Sequence, residues 1–63
     1  MLEFKQINDY SCSVFKDKIW CGELQKYDGT WILNDFDIFF TYGSSEFRQI
    51  ADKIDELNNA KKD

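Results

Sequence analysis

The chain has 63 residues, of which 43% are hydrophobic and 17% aromatic, and its net charge is −4. This length predicts one small domain over residues 1–63, which would bury only about 60% of the surface of its unfolded chain. Twelve acidic against eight basic residues argue against a direct nucleic-acid binder, because that class needs a basic surface to displace counterions.

The sequence carries no pattern typical of targeting or membrane insertion. No apolar run approaches the length of about 18 residues that a membrane span requires. The opening MLEFKQIND contains acid early and has neither an apolar core nor a small-residue cleavage site. We therefore expect a cytoplasmic protein with reduced cysteines and no membrane contact.

Four segments with strand character come first, namely LEFKQI, YSCSVF, IWCGELQKY and TWIL. Asn8-Asp9 separates the first two, Lys16–Lys18 forms a polar reversal, and Asp28-Gly29 separates the last two. Asp-Gly between strand-like segments is among the strongest hairpin signals. A two-residue turn there predicts three facing pairs: Tyr27 with Thr30, Lys26 with Trp31, and Leu24 with Leu33. Alternation then sets five residues on one face, with Gly22 leaving room for an indole ring: Trp20, Gly22, Leu24, Trp31 and Leu33.

The two cysteines, Cys12 and Cys21, leave two registers open for the hairpin around Lys16–Lys18. A two-residue turn would set them opposite each other, whereas a three-residue turn would set them on opposite faces. The second register is favoured, because it gathers a better core from Tyr10, Cys12, Val14, Trp20 and Leu24. In either register we expect both cysteines to act as small hydrophobic residues.

The last third of the chain predicts a helix that packs on the sheet. Ser44 or Ser45 can cap its start, and Lys61 and Lys62 suit its carboxyl end. Apolar residues recur at helical spacing at Phe47, Ile50, Ala51, Ile54 and Leu57. The predicted fold class is α+β, with an antiparallel sheet of three to four strands and one C-terminal helix against it.

Catalytic and metal-binding patterns are missing from the sequence. The chain has no histidine, and the cysteines lack the spacing of zinc or redox motifs. The three glycines are too scattered for a phosphate-binding loop. We therefore expect no enzyme activity, no cofactor and no metal.

The segment NDFDIFFTYGS, between Leu33 and the helix, follows neither the strand period nor the helix period. Its apolar residues point in more than one direction in any regular backbone. Two interpretations stay open: an exposed aromatic cluster that binds a partner, or a segment that wraps the end of the sheet and seals the core.

The run DFDIFF at positions 35–40, followed by Gly43 and a closing helix, resembles the small acidic uracil-DNA glycosylase inhibitors of certain tailed phages. In that family an Asp-Phe-acid-aliphatic-hydrophobic-aromatic run precedes a Gly and a helix. A Tyr starts the strand that corresponds to the one beginning at Tyr10. The similarity covers the chain from Tyr10 into the helix.

The resemblance implies a homodimer that imitates DNA and inhibits the glycosylase without catalysis. Its carboxylates would replace phosphates in the enzyme's groove, and an aromatic pocket built by both protomers would hold the leucine that the enzyme inserts into the duplex. Phe36 would be the pocket floor, Phe40 a wall, and Asp35 and Asp37 the flanking acids. The implied partner is a host DNA-repair or DNA-processing protein in the host cytoplasm.

A second resemblance offers an alternative function. The turn KDK, the hairpin DGTW and the helix ending IADKIDELN are similar to many uncharacterised small phage proteins. On that basis the chain would be a structural or protein-interaction module that joins another phage protein through the same aromatic residues.

Overall fold

The computed structural model describes residues 1–60. Four strands, β1 (Leu2–Asn8), β2 (Ser11–Lys16), β3 (Ile19–Tyr27) and β4 (Thr30–Phe36), form one antiparallel sheet in chain order, followed by the helix α1 (Ser44–Asn59). The predicted α+β fold is confirmed. Lys61 and Lys62, expected at the carboxyl end of the helix, lie outside the described residues. Within residues 1–60, no helix is long and apolar enough to cross a membrane.

The β3–β4 hairpin has the register that its Asp-Gly turn predicts. Asp28 and Gly29 have φ values of 51° and 79°, the positive values that a two-residue hairpin turn of this hand requires. All three predicted pairs form: Tyr27 with Thr30, Lys26 with Trp31, and Leu24 with Leu33.

The β2–β3 hairpin differs from the favoured prediction of a three-residue turn. Its turn has two residues, Asp17 and Lys18, with φ values of 52° and 67°, and Lys16 pairs with Ile19. The expectation of a longer turn was wrong because a bulge, rather than the turn, changes the register. Val14 pairs with Gly22 and Phe15 with Trp20, so Cys21 is the extra residue on β3.

The bulge decides which side chains enter the core. Cys12 pairs with Leu24 rather than with Cys21, and both cysteines are fully buried and reduced. Trp20 is displaced to the face opposite Leu24 and is partly exposed, which contradicts its predicted place beside Leu24. Tyr10, also expected in the core, is 65% exposed because it lies in the turn that precedes β2.

The core lies between one face of the sheet and α1. Among residues 1–60, its seven buried side chains come from all four strands and the helix: Leu2, Cys12, Val14, Cys21, Leu24, Trp31 and Ile50. Ile54 and Leu57 of the predicted helical stripe pack against this core. Phe47 and Ala51, from the same stripe, are exposed, so the stripe that faces the core is narrower than its sequence period suggests.

Side chains of α1 form hydrogen bonds with the backbone of both edge strands, β1 and β4. Gln49 Oε1 accepts a hydrogen bond from the Leu2 amide on β1 at 2.8 Å. The Asn58 side-chain amide pairs with both backbone groups of Trp31 on β4, at 2.7 Å and 3.3 Å. The start of the helix is capped by Gly43 rather than by Ser44 or Ser45, and the Gly43 amide donates to Glu46 Oε1 at 2.8 Å.

Candidate partner-binding site

The segment after β4 leaves large apolar side chains in solvent. Phe39 is 89% exposed and Ile38 77%, while Phe36 and Phe47 are about half exposed. We call these four residues, together with Phe40 and Tyr42 beneath them, the aromatic surface. The tip of the segment is therefore exposed, while Phe40 and Tyr42 pack against the core, and binding of a partner through the tip stays a prediction.

Asp37 organises the turn that presents the exposed tip. Its amide donates to the Cys21 carbonyl at 3.0 Å, which attaches the segment to the first part of β3. Its carboxylate accepts from the Phe39 amide at 3.0 Å, and its carbonyl accepts from the Phe40 amide at the same distance. An Asp side chain that bonds the backbone two residues on is a standard turn former, and here it turns Ile38 and Phe39 outward.

Tyr42 is the centre of the aromatic surface. Its ring lies 4.7 Å from that of Phe40, 5.3 Å from that of Phe47 and 6.1 Å from that of Phe36, in tilted or edge-on arrangements. Its hydroxyl donates to the Cys21 carbonyl at 2.5 Å. Burial is the main cause that raises the pKa of Tyr42 well above its usual range, so the hydroxyl remains a donor.

A small apolar pocket of about 130 Å³ opens within this surface. It is lined by one strand residue and four aromatic rings: Leu33, Phe36, Phe40, Tyr42 and Phe47. An apolar cavity of about 150 Å³ is large enough to bind benzene, so this pocket has room for one small apolar side chain.

The four residues predicted for the site are only partly brought together. Phe36 and Phe40 line the pocket, but Asp35 pairs with Glu23 on the face of the sheet that α1 does not cover. Asp37 lies in the turn between Phe36 and Phe40, and its carboxylate accepts a hydrogen bond from the Phe39 amide.

The prediction missed Tyr42 and Phe47. Tyr42 followed the motif without any periodic pattern, and the helical spacing of Phe47 assigned it to the core instead. A signal for both was the local density of aromatic residues on either side of Gly43.

Glu46 fixes the helix start beside the aromatic surface. Lys16 Nζ donates to its Oε2 at 2.9 Å, and Lys16 also lies 5.7 Å from the centre of the Phe40 ring. The hydrogen bond from Lys16, followed by that from the Gly43 amide, lowers the pKa of Glu46 to about 2. The pair therefore connects β2, α1 and the aromatic surface while both groups are charged.

Reactive groups are not assembled at this surface. Within residues 1–60, no group of three or more potential metal ligands occurs. Burial raises the pKa of both Cys12 and Cys21, which disfavours the reactive thiolate. The apolar pocket and the exposed rings beside it are suited to contact an apolar group. Comparisons with known protein families, curated proteins and solved structures found no match to this chain, so a functional assignment depends on the residues of this surface.

Proposed function

We propose that the chain is a non-catalytic inhibitor of a host DNA-processing enzyme, most specifically uracil-DNA glycosylase, encoded by a phage and acting as a homodimer in the host cytoplasm. The observation that carries this proposal is the small aromatic pocket in an exposed apolar surface of an acidic chain. In the proposed complex this pocket holds the apolar side chain that the enzyme otherwise inserts into DNA.

The aromatic surface has the properties of a binding hot spot. Protein interfaces obtain most of their binding energy from a few aromatic or apolar groups buried in a tight pocket and shielded from water. Phe36 and Phe47 are half exposed before binding, so a guest side chain would bury further apolar area on both. Ile38 and Phe39 extend beyond the pocket and supply a surrounding apolar rim.

Acidic groups near β4 support mimicry of a phosphate backbone. Glu23 and Asp35 lie opposite each other on β3 and β4, an arrangement of like charges that opposes folding. The ion pairs found among residues 1–60 are Lys16–Glu46 and Lys53–Glu56, so neither Glu23 nor Asp35 is neutralised by one. A basic DNA-binding groove would relieve this repulsion on binding.

Inhibition of purified uracil-DNA glycosylase tests the proposal. We expect the wild-type chain to inhibit, and Phe36→Ala to raise the half-inhibitory concentration at least about tenfold through loss of a ring that lines the pocket. The matched control is Tyr10→Ala, which removes an exposed aromatic ring from the turn before β2 and should inhibit like wild type. Full enzyme activity at micromolar excess of the wild-type chain would overturn the proposal.

The alternative is a phage accessory module that uses the same exposed Ile38 and Phe39. It predicts no inhibition of the glycosylase, together with binding to another phage protein that Phe39→Ala weakens. The glycosylase assay therefore separates the two functions.

A further inference from the structure

Side chains of α1 form hydrogen bonds with more of the edge-facing backbone groups on β4 than on β1. On β4, Asn58 occupies both edge-facing backbone groups of Trp31. On β1, the only edge group bonded to a helix side chain among residues 1–60 is the Leu2 amide, which donates to Gln49. Exposed strand edges pair readily with another strand unless the edge is blocked.

The alternation of hydrogen bonds identifies which β1 groups face outward. Lys16 closes a two-residue hairpin with Ile19, so its backbone groups point toward β3 and its β1 partner, Leu2, points toward the edge. The bond from Leu2 to Gln49 agrees with this direction. Phe4 and Gln6 follow at two-residue steps, so their backbone groups also face the open edge.

We propose that β1 pairs antiparallel with β1 of a second copy of this chain, about a two-fold axis at Phe4. The pairing joins two four-stranded sheets into one continuous sheet. The joined edges lie on the opposite side of the sheet from β4, so each copy keeps its own aromatic surface, and the inference depends neither on the target nor on a pocket shared between copies.

The order of side chains along β1 is self-complementary in this register. With Phe4 on the axis, Glu3 of each copy faces Lys5 of the other, and Leu2 faces Gln6, so Gln49 gives up the Leu2 amide to the Gln6 carbonyl of the second copy. Glu3 and Lys5 are both exposed, so they are available on the isolated chain. Opposite charges on facing strands are stabilising and like charges are destabilising.

Neighbouring registers lack this complementarity. An axis at Glu3 would set Glu3 against its own copy, and an axis at Lys5 would do the same for Lys5. Both place like charges directly opposite each other, whereas the axis at Phe4 creates two attractive pairs. The charges on β1 therefore select one register.

The helix side of β1 also offers apolar surface to the second copy. A shallow groove of about 290 Å³ runs between β1 and α1, apolar only on its strand side at Met1, Leu2 and Phe4, whereas its helix side carries Gln49, Asp52, Lys53 and Glu56. The half-buried Phe4 would lie directly opposite Phe4 of the second copy, and aromatic cross-strand pairs add stability.

Sedimentation equilibrium of charge-reversal variants tests the interface. Wild type is expected to dimerise, and Lys5→Glu or Glu3→Lys should each weaken the dimer on the order of tenfold, because two attractive pairs become repulsive. The double variant Glu3→Lys/Lys5→Glu restores opposite charges across the axis and should restore the wild-type dissociation constant. Lys18→Glu, which makes the same charge change in the β2–β3 turn, should leave it unchanged.

Amide hydrogen exchange gives a second readout that needs no substitution. The Phe4 and Gln6 amides should become more protected as protein concentration rises, while the Lys5 amide, which faces β2, should not. A wild-type chain that stays monomeric at millimolar concentration would overturn the interface. So would a dimer whose dissociation constant is unchanged by both charge reversals, or one that the double variant fails to restore. Both measurements use this chain alone, so a failure of glycosylase inhibition is read separately.

Discussion

Gly22 is the residue that allows the aromatic surface to attach to the sheet. A Cβ atom at this position would lie 2.8 Å from the Tyr42 hydroxyl and 3.2 Å from the Asp35 carbonyl. The absent side chain therefore makes the space through which Tyr42 reaches the Cys21 carbonyl. The sequence predicted that Gly22 makes room for a ring, but the ring is the phenol of Tyr42 rather than an indole.

Gly22→Ala should displace Tyr42 and destabilise the protein by about 1–3 kcal/mol, the usual range for overpacking. Tyr42→Phe should cost about 1 kcal/mol, because the Cys21 carbonyl keeps its second donor, the Asp37 amide. Urea denaturation of each variant measures these free energies of unfolding.

The double variant separates this contact from a general cost of alanine in a strand. When Tyr42→Phe has removed the nearest atom, Gly22→Ala should cost clearly less than it does in wild type. Equal costs in the two backgrounds would show that Gly22 is required for a reason other than the approach of the Tyr42 hydroxyl.

At the scale of elements, the β2–β3 and β3–β4 hairpins show which features a sequence can predict. The Asp-Gly turn determines its own local geometry, so the β3–β4 register followed directly from residues 28 and 29. The bulge at Cys21 has no local signal, because it arises from packing that buries both Cys21 and Gly22. An offset of one residue in β3 then moved Trp20 to the other face and overturned part of the predicted core.

The ion pair at the start of α1 predicts an acid-dependent stability. The pKa of Glu46 falls from about 4.5 to about 2 on folding, so its contribution is complete above pH 4.5 and is lost as pH falls toward 2. In urea denaturation at a series of pH values, the stability difference between wild type and Glu46→Gln should be constant from pH 5 to 8. The difference should then shrink as the pH falls from 4.5 to 2.

Lys16→Met supplies the matched test, because the hydrogen bond from Lys16 is the largest cause of this pKa shift. In that variant the stability that depends on Glu46 should be smaller, and it should be lost over a narrower pH range below 4.5. If the Lys16→Met variant lost stability over the same pH range and by the same amount as wild type, the Lys16–Glu46 pair would not be the cause of this acid dependence.

At the scale of the whole molecule, composition predicted the candidate site better than periodicity did. The apolar residues of positions 36–40 predicted that one sheet and one helix would not cover them all, and Phe36, Ile38 and Phe39 are exposed, whereas Phe47 is exposed against the prediction. Which rings line the pocket depends on Tyr42 reaching β3 across 21 residues of sequence. Such a long-range contact has no signature in local spacing, so the density of aromatic residues around Gly43 indicated the region but not which rings line the pocket.

Because both cysteines lie in one core, we expect their thiols to be protected from chemical labelling to the same extent. Both Cys12 and Cys21 are fully buried, and a stability of about 0.05–0.15 kcal/mol per residue gives roughly 3–9 kcal/mol for a chain of this length. A thiol reagent should therefore label each cysteine at least about a hundredfold more slowly in buffer than in denaturant. The single-cysteine variants Cys12→Ala and Cys21→Ala allow each remaining thiol to be measured separately.

Similar protection factors for the two thiols, after correction for the stability of each variant, would indicate that both are exposed by the same global unfolding. Rapid labelling of Cys21 alone would instead locate an independent opening at the β3 bulge. Because the Cys21 carbonyl binds both Tyr42 and Asp37, that opening would also release the aromatic surface from the sheet. Slow labelling of Cys21 thus tests whether the pocket is held rigidly in the free protein, which a preformed binding site requires.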